Sequence, residues 1–347
     1  MKILVFRRDN IGDLVVTMPV FTALRRRFPD ARIEALVNSY NAPVLARHPD
    51  VDAVHAYTKT KHSASRWEAF TDWAGRLSQF AALRRERFDY VVLASPGYHP
   101  RQIRQARLLR PRHVVAFVPS GRRPAGVDHP VVQDRRNGHH AEDTFRILEA
   151  FSIAGPVPAP RLACEARTAS PGEPARIGVH LSARRPRNRW REEAFVEFMR
   201  AVHTRYDVRL RVFWAPGEEN DPRHPGDDAK AARVLAGLDG VPVEAAKTPT
   251  VKSLIDSLGH CDLLVCSDGG AMHLAAAMGK PVVCFFGDSP ASEWHPLGVP
   301  YRLLQPRSLD AADVTVDEAV AAFESLAAEA GLARRPSRPP LALARPR

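Results

Sequence analysis

Cysteine, aromatic residues and long apolar runs are all scarce in this chain of 347 residues. The four cysteines, Cys164, Cys261, Cys266 and Cys284, form no CxxC pair and stand at no zinc-ligand spacing with histidine. Cys266 and Cys284 fall inside apolar runs, so they read as buried reduced thiols, in keeping with a reducing cytosol. Aromatic residues make up only 7% of the chain, and no aromatic-rich RNA-binding motif, zinc finger or helix-turn-helix pattern appears. Sequence-specific nucleic-acid recognition is therefore not expected. No uninterrupted apolar run approaches the ~20 residues that span a bilayer. The opening MKILVFRRDN regains charge after four apolar residues, short of the about 7–15 of a secretory leader. These absences predict a cytoplasmic protein, soluble or at most peripheral. Several catalytic signatures are missing too: there is no GxGxxG after the first strand, no GxSxG elbow, no Walker A loop and no HExxH.

What is present suits a packed α/β protein. Hydrophobic residues make up 45%, and the length fits two domains of about 150 residues each. The formal net charge is +11. It gathers in short patches at Arg25–Arg27, Arg101–Arg112, Arg184–Arg191 and after Arg334. Such patches either solvate the surface or meet anionic lipid and phosphorylated substrates.

Short β-branched runs alternate with amphipathic segments, the pattern of parallel sheets covered by helices. Strands are predicted at Ile3–Arg7, Arg32–Val37, Ala53–Tyr57, Tyr90–Ala94 and Val114–Val118, and helices at Asp13–Phe28, with Pro19 as a kink or irregular start, and Ala141–Phe151. A Pro-, Ala- and Gly-rich stretch at 155–174 reads as a linker. The pattern then restarts with strands at Ile177–Leu181, Arg209–Trp214, Leu263–Ser267 and Val282–Phe286. Helices accompany them at Glu192–Arg205, Asp228–Leu238, Val251–Leu258, Ala271–Met278 and Asp317–Ala330. The fold class is thus α/β, with two Rossmann-like, doubly wound domains at 1–160 and 175–330 facing a cleft. A basic, Pro-rich tail at 331–347 is expected to be mobile. In open sheets of this kind, ligands bind beyond the carboxyl ends of the strands.

Three loops at such ends carry candidate residues. After the first strand stand Arg8, Asn10, Gly12 and Asp13. Asp13 either caps the following helix or, as a carboxylate at the mouth of the cleft, removes a proton from an acceptor hydroxyl. Ser267–Pro281 runs from a strand end through Gly269 and Gly270 into an alanine-rich helix, a cradle for a diphosphate at a helix N-terminus. Asp268 is placed to bond sugar or ribose hydroxyls. His273 is either a phosphate donor or a satisfied core histidine. The loop Ser182–Trp190 carries Arg187, Asn188 and Arg189, either a diphosphate clamp or a solvated basic loop. Trp190 is expected to pack at the start of the next helix. Glu218 belongs either to a ribose site or to a plain surface turn. His139 and His140, with Glu142 and Asp143, read as the solvated start of a helix, since no further metal ligand is near.

Three segments together resemble a known family. ILVFRRDNIGDLVVTMPVFTALRRRFPDARI, GVHLSARRPRNRWREEAF and CDLLVCSDGGAMHLAAAMGKPVVCFFGDSPASEW look like the successive motifs of the ADP-heptose:lipopolysaccharide heptosyltransferases, glycosyltransferase family 9. The resemblance implies a GT-B fold and an inverting transfer without metal or other cofactor. Asp13 would be the general base, and Arg8, Asn10 and Gly12 would lie on the acceptor side. Ser182, Arg187, Asn188, Arg189, Glu218, Asp268, Gly269, Gly270, Met272 and His273 would serve the nucleotide-sugar donor, with ADP-heptose implied. The implied partners are that donor and a saccharide or lipid-linked glycan acceptor, met at the cytoplasmic face of an anionic inner membrane. Two positions depart from the family pattern. Asn188 stands where many members have a lysine, a charge Arg187 or Arg189 would have to replace, and Gly269 where many have a threonine. Acceptor contacts are expected in the loops Lys59–Arg66 and Ser95–Arg104. Transfer of another activated sugar, a nucleotide-sugar epimerase and a non-catalytic scaffold remain the alternatives, and a dehydrogenase is least favoured by the missing glycine fingerprint.

Overall fold

The computed structural model describes residues 1–57, 66–133, 138–165, 172–221 and 225–335. Two six-stranded sheets organise them. The first takes β1 (Lys2–Phe6), β2 (Arg32–Asn38), β3 (Ala53–Tyr57), β4 (Tyr90–Leu93), β5 (His113–Val118) and β6 (His129–Val132) in the order β3-β2-β1-β4-β5-β6, all parallel. The second takes β7 (Ala175–His180), β8 (Val208–Trp214), β9 (Val243–Lys247), β10 (Leu263–Ser267), β11 (Val282–Phe285) and β12 (Tyr301–Leu304). Its order is β12-β11-β10-β7-β8-β9, again parallel, so the same winding occurs twice. The strand order reverses between β1 and β4 and between β7 and β10, the points at which sheets of this kind bind ligands.

Helices cover both faces, which is why the central strands are continuous apolar runs. Ile3, Leu4 and Val5 in β1, and Leu263 to Cys266 in β10, are fully buried. The segment expected as one helix from Asp13 to Phe28 is two helices, α1 (Ile11–Val15) and α2 (Met18–Arg27). Thr17 is the N-cap of α2 and Pro19 lies in its first turn, where a missing N–H breaks no helical bond. Thr17 Oγ1 also donates to Asp13 O at 2.8 Å, tying the two helices together.

Several elements were not anticipated. Helices α3 (Arg66–Arg85) and α4 (Pro100–Leu108) are among them; α4 is rich in charge and buries only Ile103 and Ala106. Strands β6, β9 and β12 are sheet edges, as is β3, the one edge strand that was expected. Of these, β6 contains Pro130 and β9 reads VEAAK, neither a β-branched run. The helix expected over Ala141–Phe151 is α5 (His140–Phe145) followed by a 3-10 segment, Arg146–Phe151.

The C-terminal half is completed by α6 (Glu192–Arg205), α7 (Asp228–Ala236), α8 (Val251–Gly259), α9 (Gly270–Ala277), α10 (Ala291–Trp294) and α11 (Val316–Glu329). Trp190 does pack at the head of α6: it is buried, edge-on to Phe195 at 4.8 Å, and its indole N–H donates to Val314 O at 2.9 Å. The tail expected to be mobile from residue 331 starts out packed. Leu332 joins the α6–α11 cluster, Arg334 bridges Tyr206 and pairs with Glu324 at 3.1 Å, and Arg335 N–H donates to Arg205 O. Residues 336–347 lie outside the described chain, as does most of the expected acceptor loop Lys59–Arg66.

One apolar cluster runs through both halves. Ile11, Leu14, Val44 and Leu45 of the first share it with Leu254, Ile255, Ala271 and Met272 of the second. The contact is close: a Cβ on Gly270 would lie 3.0 Å from Ile11, and one on Gly12 would lie 2.7 Å from the His273 ring. Helices α1 and α9 therefore meet through glycine on both sides.

Candidate active site

The carboxyl ends of β1, β7, β8, β10 and β11 border one cavity of about 520 Å3, with walls from both halves. Asp13 lies on its N-terminal wall. It caps the start of α1 and is ion-paired there: Oδ2 accepts the Asn10 N–H at 3.0 Å, while Oδ1 takes Arg7 Nη2 at 2.7 Å. The Arg7 guanidinium is buried and also reaches Ala94 O and, at 3.0 Å, Asp9. Asp13 is thus held in place and remains 17% exposed beside the cavity. Asn10 and Gly12 border the cavity with it. Arg8 does not; its guanidinium lies over Phe6 and Tyr57 at 4.5 and 4.9 Å.

The opposite wall is the turn from β10 into α9. Asp268, Gly269, Gly270 and His273 all border the cavity, and no atom would obstruct a Cβ at Gly269 within 4 Å, so that backbone lies open. Asp268 Oδ2 accepts from Ser289 Oγ at 2.6 Å and Asn188 Nδ2 at 2.9 Å. Burial raises the Asp268 carboxyl above its ordinary range despite those bonds. Burial, reinforced by His139, pushes the His273 imidazole down to about 4, so it is neutral at neutral pH. Met272 is fully buried in the apolar cluster and does not reach the cavity.

The basic loop divides. Asn188 is buried, and its Oδ1 accepts the Gly287 N–H at 2.9 Å, so the amide is tied to protein on both sides. Arg187 is exposed and off the cavity. Arg189 turns away to Ala183 O and Glu219, lining a separate shallow cavity of about 310 Å3. The guanidiniums that border the cleft are those of Arg184 and Arg185, and Arg185 Nη1 lies 3.3 Å from Ser289 Oγ. Ser182 borders it as well, its Oγ accepting the Ala215 N–H. Glu218 is an exposed turn residue off the cavity, whereas Asp227 and Thr248, both buried, stand on that wall. Burial raises the Asp227 carboxyl, with Ser182 acting in the opposite sense.

Sequence reasoning also missed the floor. His180 and Ser267 end the neighbouring strands β7 and β10 at the point of reversal, and both border the cavity. His180 Nδ1 and Ser267 Oγ are buried without a hydrogen-bond partner, unusual for polar atoms of residues that border a cavity. The available signal was a polar residue at the carboxyl end of an apolar strand.

His139 and His140 are not a solvated helix start. His139 is buried, and its Nε2 contacts His295 O at 2.9 Å across the two halves. His140 stacks on Trp294, which borders the cavity, at 4.3 Å. Their partners come from a segment more than 150 residues away, which local sequence cannot reveal. Among the described residues no group of three or more His, Cys, Asp or Glu could hold a metal ion, and no helix is long and apolar enough to cross a membrane.

Two doubly wound sheets around a cleft with a carboxylate on one wall and a helix N-terminus on the other define the GT-B plan of glycosyltransferases. Glycosyltransferase family 9 (heptosyltransferase) matches residues 130–313, more than half of the chain, and the protein belongs to that family. It is similar to a lipopolysaccharide heptosyltransferase 3 of Escherichia coli, 24% identical over 304 residues that cover 82% of this chain and 83% of the relative. Among solved structures, the glycosyl transferase family 9 from Veillonella parvula DSM 2008 superposes with a TM-score of 0.76 at 18% identity, covering 94% of this chain and 97% of the other. The E. coli heptosyltransferase WaaC with ADP superposes with a TM-score of 0.74 at 18% identity, covering 94% and 100%.

Proposed function

We propose that this glycosyltransferase moves a heptose from ADP-heptose to a saccharide acceptor, the lipopolysaccharide core or a related surface glycan, in one inverting displacement without a metal ion. The observation that carries this reading is the placement of Asp13 and the Asp268–Gly270 turn on opposite walls of one cavity. Its volume suits a nucleotide-sugar. The curated relative acts in lipopolysaccharide synthesis by its name, and the WaaC neighbour holds ADP.

In this mechanism Asp13 takes the proton of an acceptor hydroxyl as its oxygen attacks the anomeric carbon. The bond from that carbon to ADP breaks on the opposite face, inverting the centre. Charge on departing ADP is met by Arg184, Arg185 and the N-terminus of α9, so the leaving group has cations without a divalent ion. Asp268 takes sugar hydroxyls, and the unsatisfied His180 and Ser267 on the floor bind polar atoms of the nucleotide. On the outer surface Arg101, Arg104 and Arg110 flank Leu108, which is 62% exposed, a face suited to peripheral contact with anionic phospholipid at the cytoplasmic side of the inner membrane. If salt leaves liposome association unchanged, the electrostatic part of that contact is wrong.

The deciding experiment is ADP release from ADP-heptose with delipidated core oligosaccharide, comparing the native enzyme with Asp13→Asn. Acceptor-dependent release should fall by about 100-fold or more in the variant with ADP affinity retained. Undiminished release would remove Asp13 as base. ADP binding without release to any acceptor would refute heptosyl transfer.

A further inference from the structure

Asp13 is not the only ionisable group at the reacting end of the cavity. His140 Nε2 lies 3.9 Å from Asp13 Oδ1, the side opposite to the backbone bond from Asn10. The imidazole is fixed from two directions. It belongs to the first turn of α5 in the N-terminal half, and its ring lies against Trp294, which ends α10 in the C-terminal half, with 23° between planes. The neighbouring His139 also reaches across, bonding His295 O at 2.9 Å with its ring tilted against the His295 ring at 4.6 Å.

Charged and titratable groups surround this position. Asp13 faces it from α1, held by Arg7 just after β1; His273 approaches from α9, and His295, beside Trp294, lies against the neighbouring His139. Its own helix brings His139, Glu142 and Asp143. Burial lowers both His139 and His273 below the ordinary imidazole range, which makes them poor proton acceptors. His140 keeps 20% of its side chain exposed.

We propose that His140 is the proton partner of Asp13, a positioning residue that receives through the Asp13 carboxyl the proton leaving the acceptor hydroxyl. The inference rests on the transfer reaction proposed above. The acceptor proton passes to Asp13 as the new carbon–oxygen bond forms and the anomeric carbon–phosphate oxygen bond breaks, its electron pair leaving with ADP. The Asp13 carboxylic acid then gives the proton to His140 Nε2. An imidazolium forms, and the carboxylate paired with Arg7 is restored. The exposed part of the ring releases the proton to water. The separation of 3.9 Å is short of contact by a small side-chain rotation, and catalytic hydrogen bonds tighten when substrate binds. Because Trp294 comes from the other half, the pair is complete only while the two halves are together. The proton can then leave only from an enclosed donor and acceptor.

The test combines kinetics with a measurement that needs no turnover. The pH profile of kcat is recorded for the native enzyme, His140→Gln and Trp294→Ala, alongside ADP affinity. An ascending limb in the imidazole range should vanish in His140→Gln, with kcat about tenfold lower or less and ADP affinity within twofold. Trp294→Ala should displace the limb. A limb that persists in His140→Gln overturns the proposal even if kcat falls, since a structural role would lower kcat without altering its pH dependence. The imidazole titration of His140 is followed by NMR in native protein and in Asp13→Asn, and should fall by about one pH unit when the carboxylate is removed. An unmoved titration overturns the pairing whether or not the protein turns over. Native enzyme inert towards every acceptor would instead refute the transfer reaction.

Discussion

Asn188 Nδ2 donates to Asp268 Oδ2 at 2.9 Å while its Oδ1 accepts the Gly287 N–H at 2.9 Å, so a single buried amide joins the loops after β7, β10 and β11. Asn188→Ala removes these bonds and a longer one to Ser289 Oγ at 3.3 Å, and leaves the Gly287 N–H buried without its side-chain acceptor. Stability should fall by about 1–3 kcal/mol, read as a shift of the denaturant midpoint. ADP affinity should fall with it, because Asp268 loses one of its two side-chain donors. Unaltered stability and affinity would show that the amide only fills space.

With Asn188 committed to protein, the cation for a diphosphate has to come from elsewhere. Arg185→Ala should weaken ADP binding about tenfold, or 1.4 kcal/mol, by calorimetry at low salt. Arg187→Ala, at an exposed position off the cavity, should stay within twofold. The reverse ranking would return the charge to the position suggested by sequence spacing.

Gly12→Ala tests the meeting of α1 with α9. The added methyl would lie 2.7 Å from His273 Cδ2, and relief requires the ring or the helix to shift. Overpacking of this kind typically costs about 1–3 kcal/mol. The expected signature is a kcat at least tenfold lower with ADP affinity, carried by the other half, little altered. A variant with native kcat would show that the two helices have slack.

The repeated strand–helix winding was legible because the central strands are apolar throughout, as β1 and β10 show. Edge strands such as β9, and helices such as α4 whose buried stripe is two residues wide, carry too weak a pattern. That Asp13, Asp268 and His273 lie at the cavity was legible from their position in the loop or first helical turns after a strand. The placement of Arg185 and Asp227 was not, because side-chain direction within a loop decides which residue of a basic or acidic run meets the cavity. His140 and Trp294 were invisible for another reason: their meaning lies in a contact between halves that are far apart in the chain.

Two buried histidines make stability depend on pH. His180 and His273 are pushed from 6.5 down to about 4 by burial, with Lys230 adding to the effect on His180 and His139 on His273. In the unfolded chain each takes a proton below about 6.5, while in the folded protein each stays neutral down to about 4. Stability is therefore full above pH 6.5 and declines as pH falls towards 4, on the order of 4 kcal/mol between pH 7 and pH 5 for the pair. Urea unfolding at several pH values checks this, and His180→Gln should make the decline shallower. A flat profile down to pH 5 would mean that both imidazoles become solvated.

The apolar cluster shared by Ile11 and Leu14 with Leu254 and Met272 bears on how such proteins can be recombined. Although each half has a complete sheet, neither has a complete surface. Severing the chain near residue 160 would expose the facing sides of α1 and α9 to water. A chimera that takes its acceptor half from one glycosyltransferase and its donor half from another must match the seam as well as the cleft. Exchanges made at the linker alone should yield insoluble protein, and solubility should return when Ile11, Gly12 and Gly270 are transplanted together with their partners.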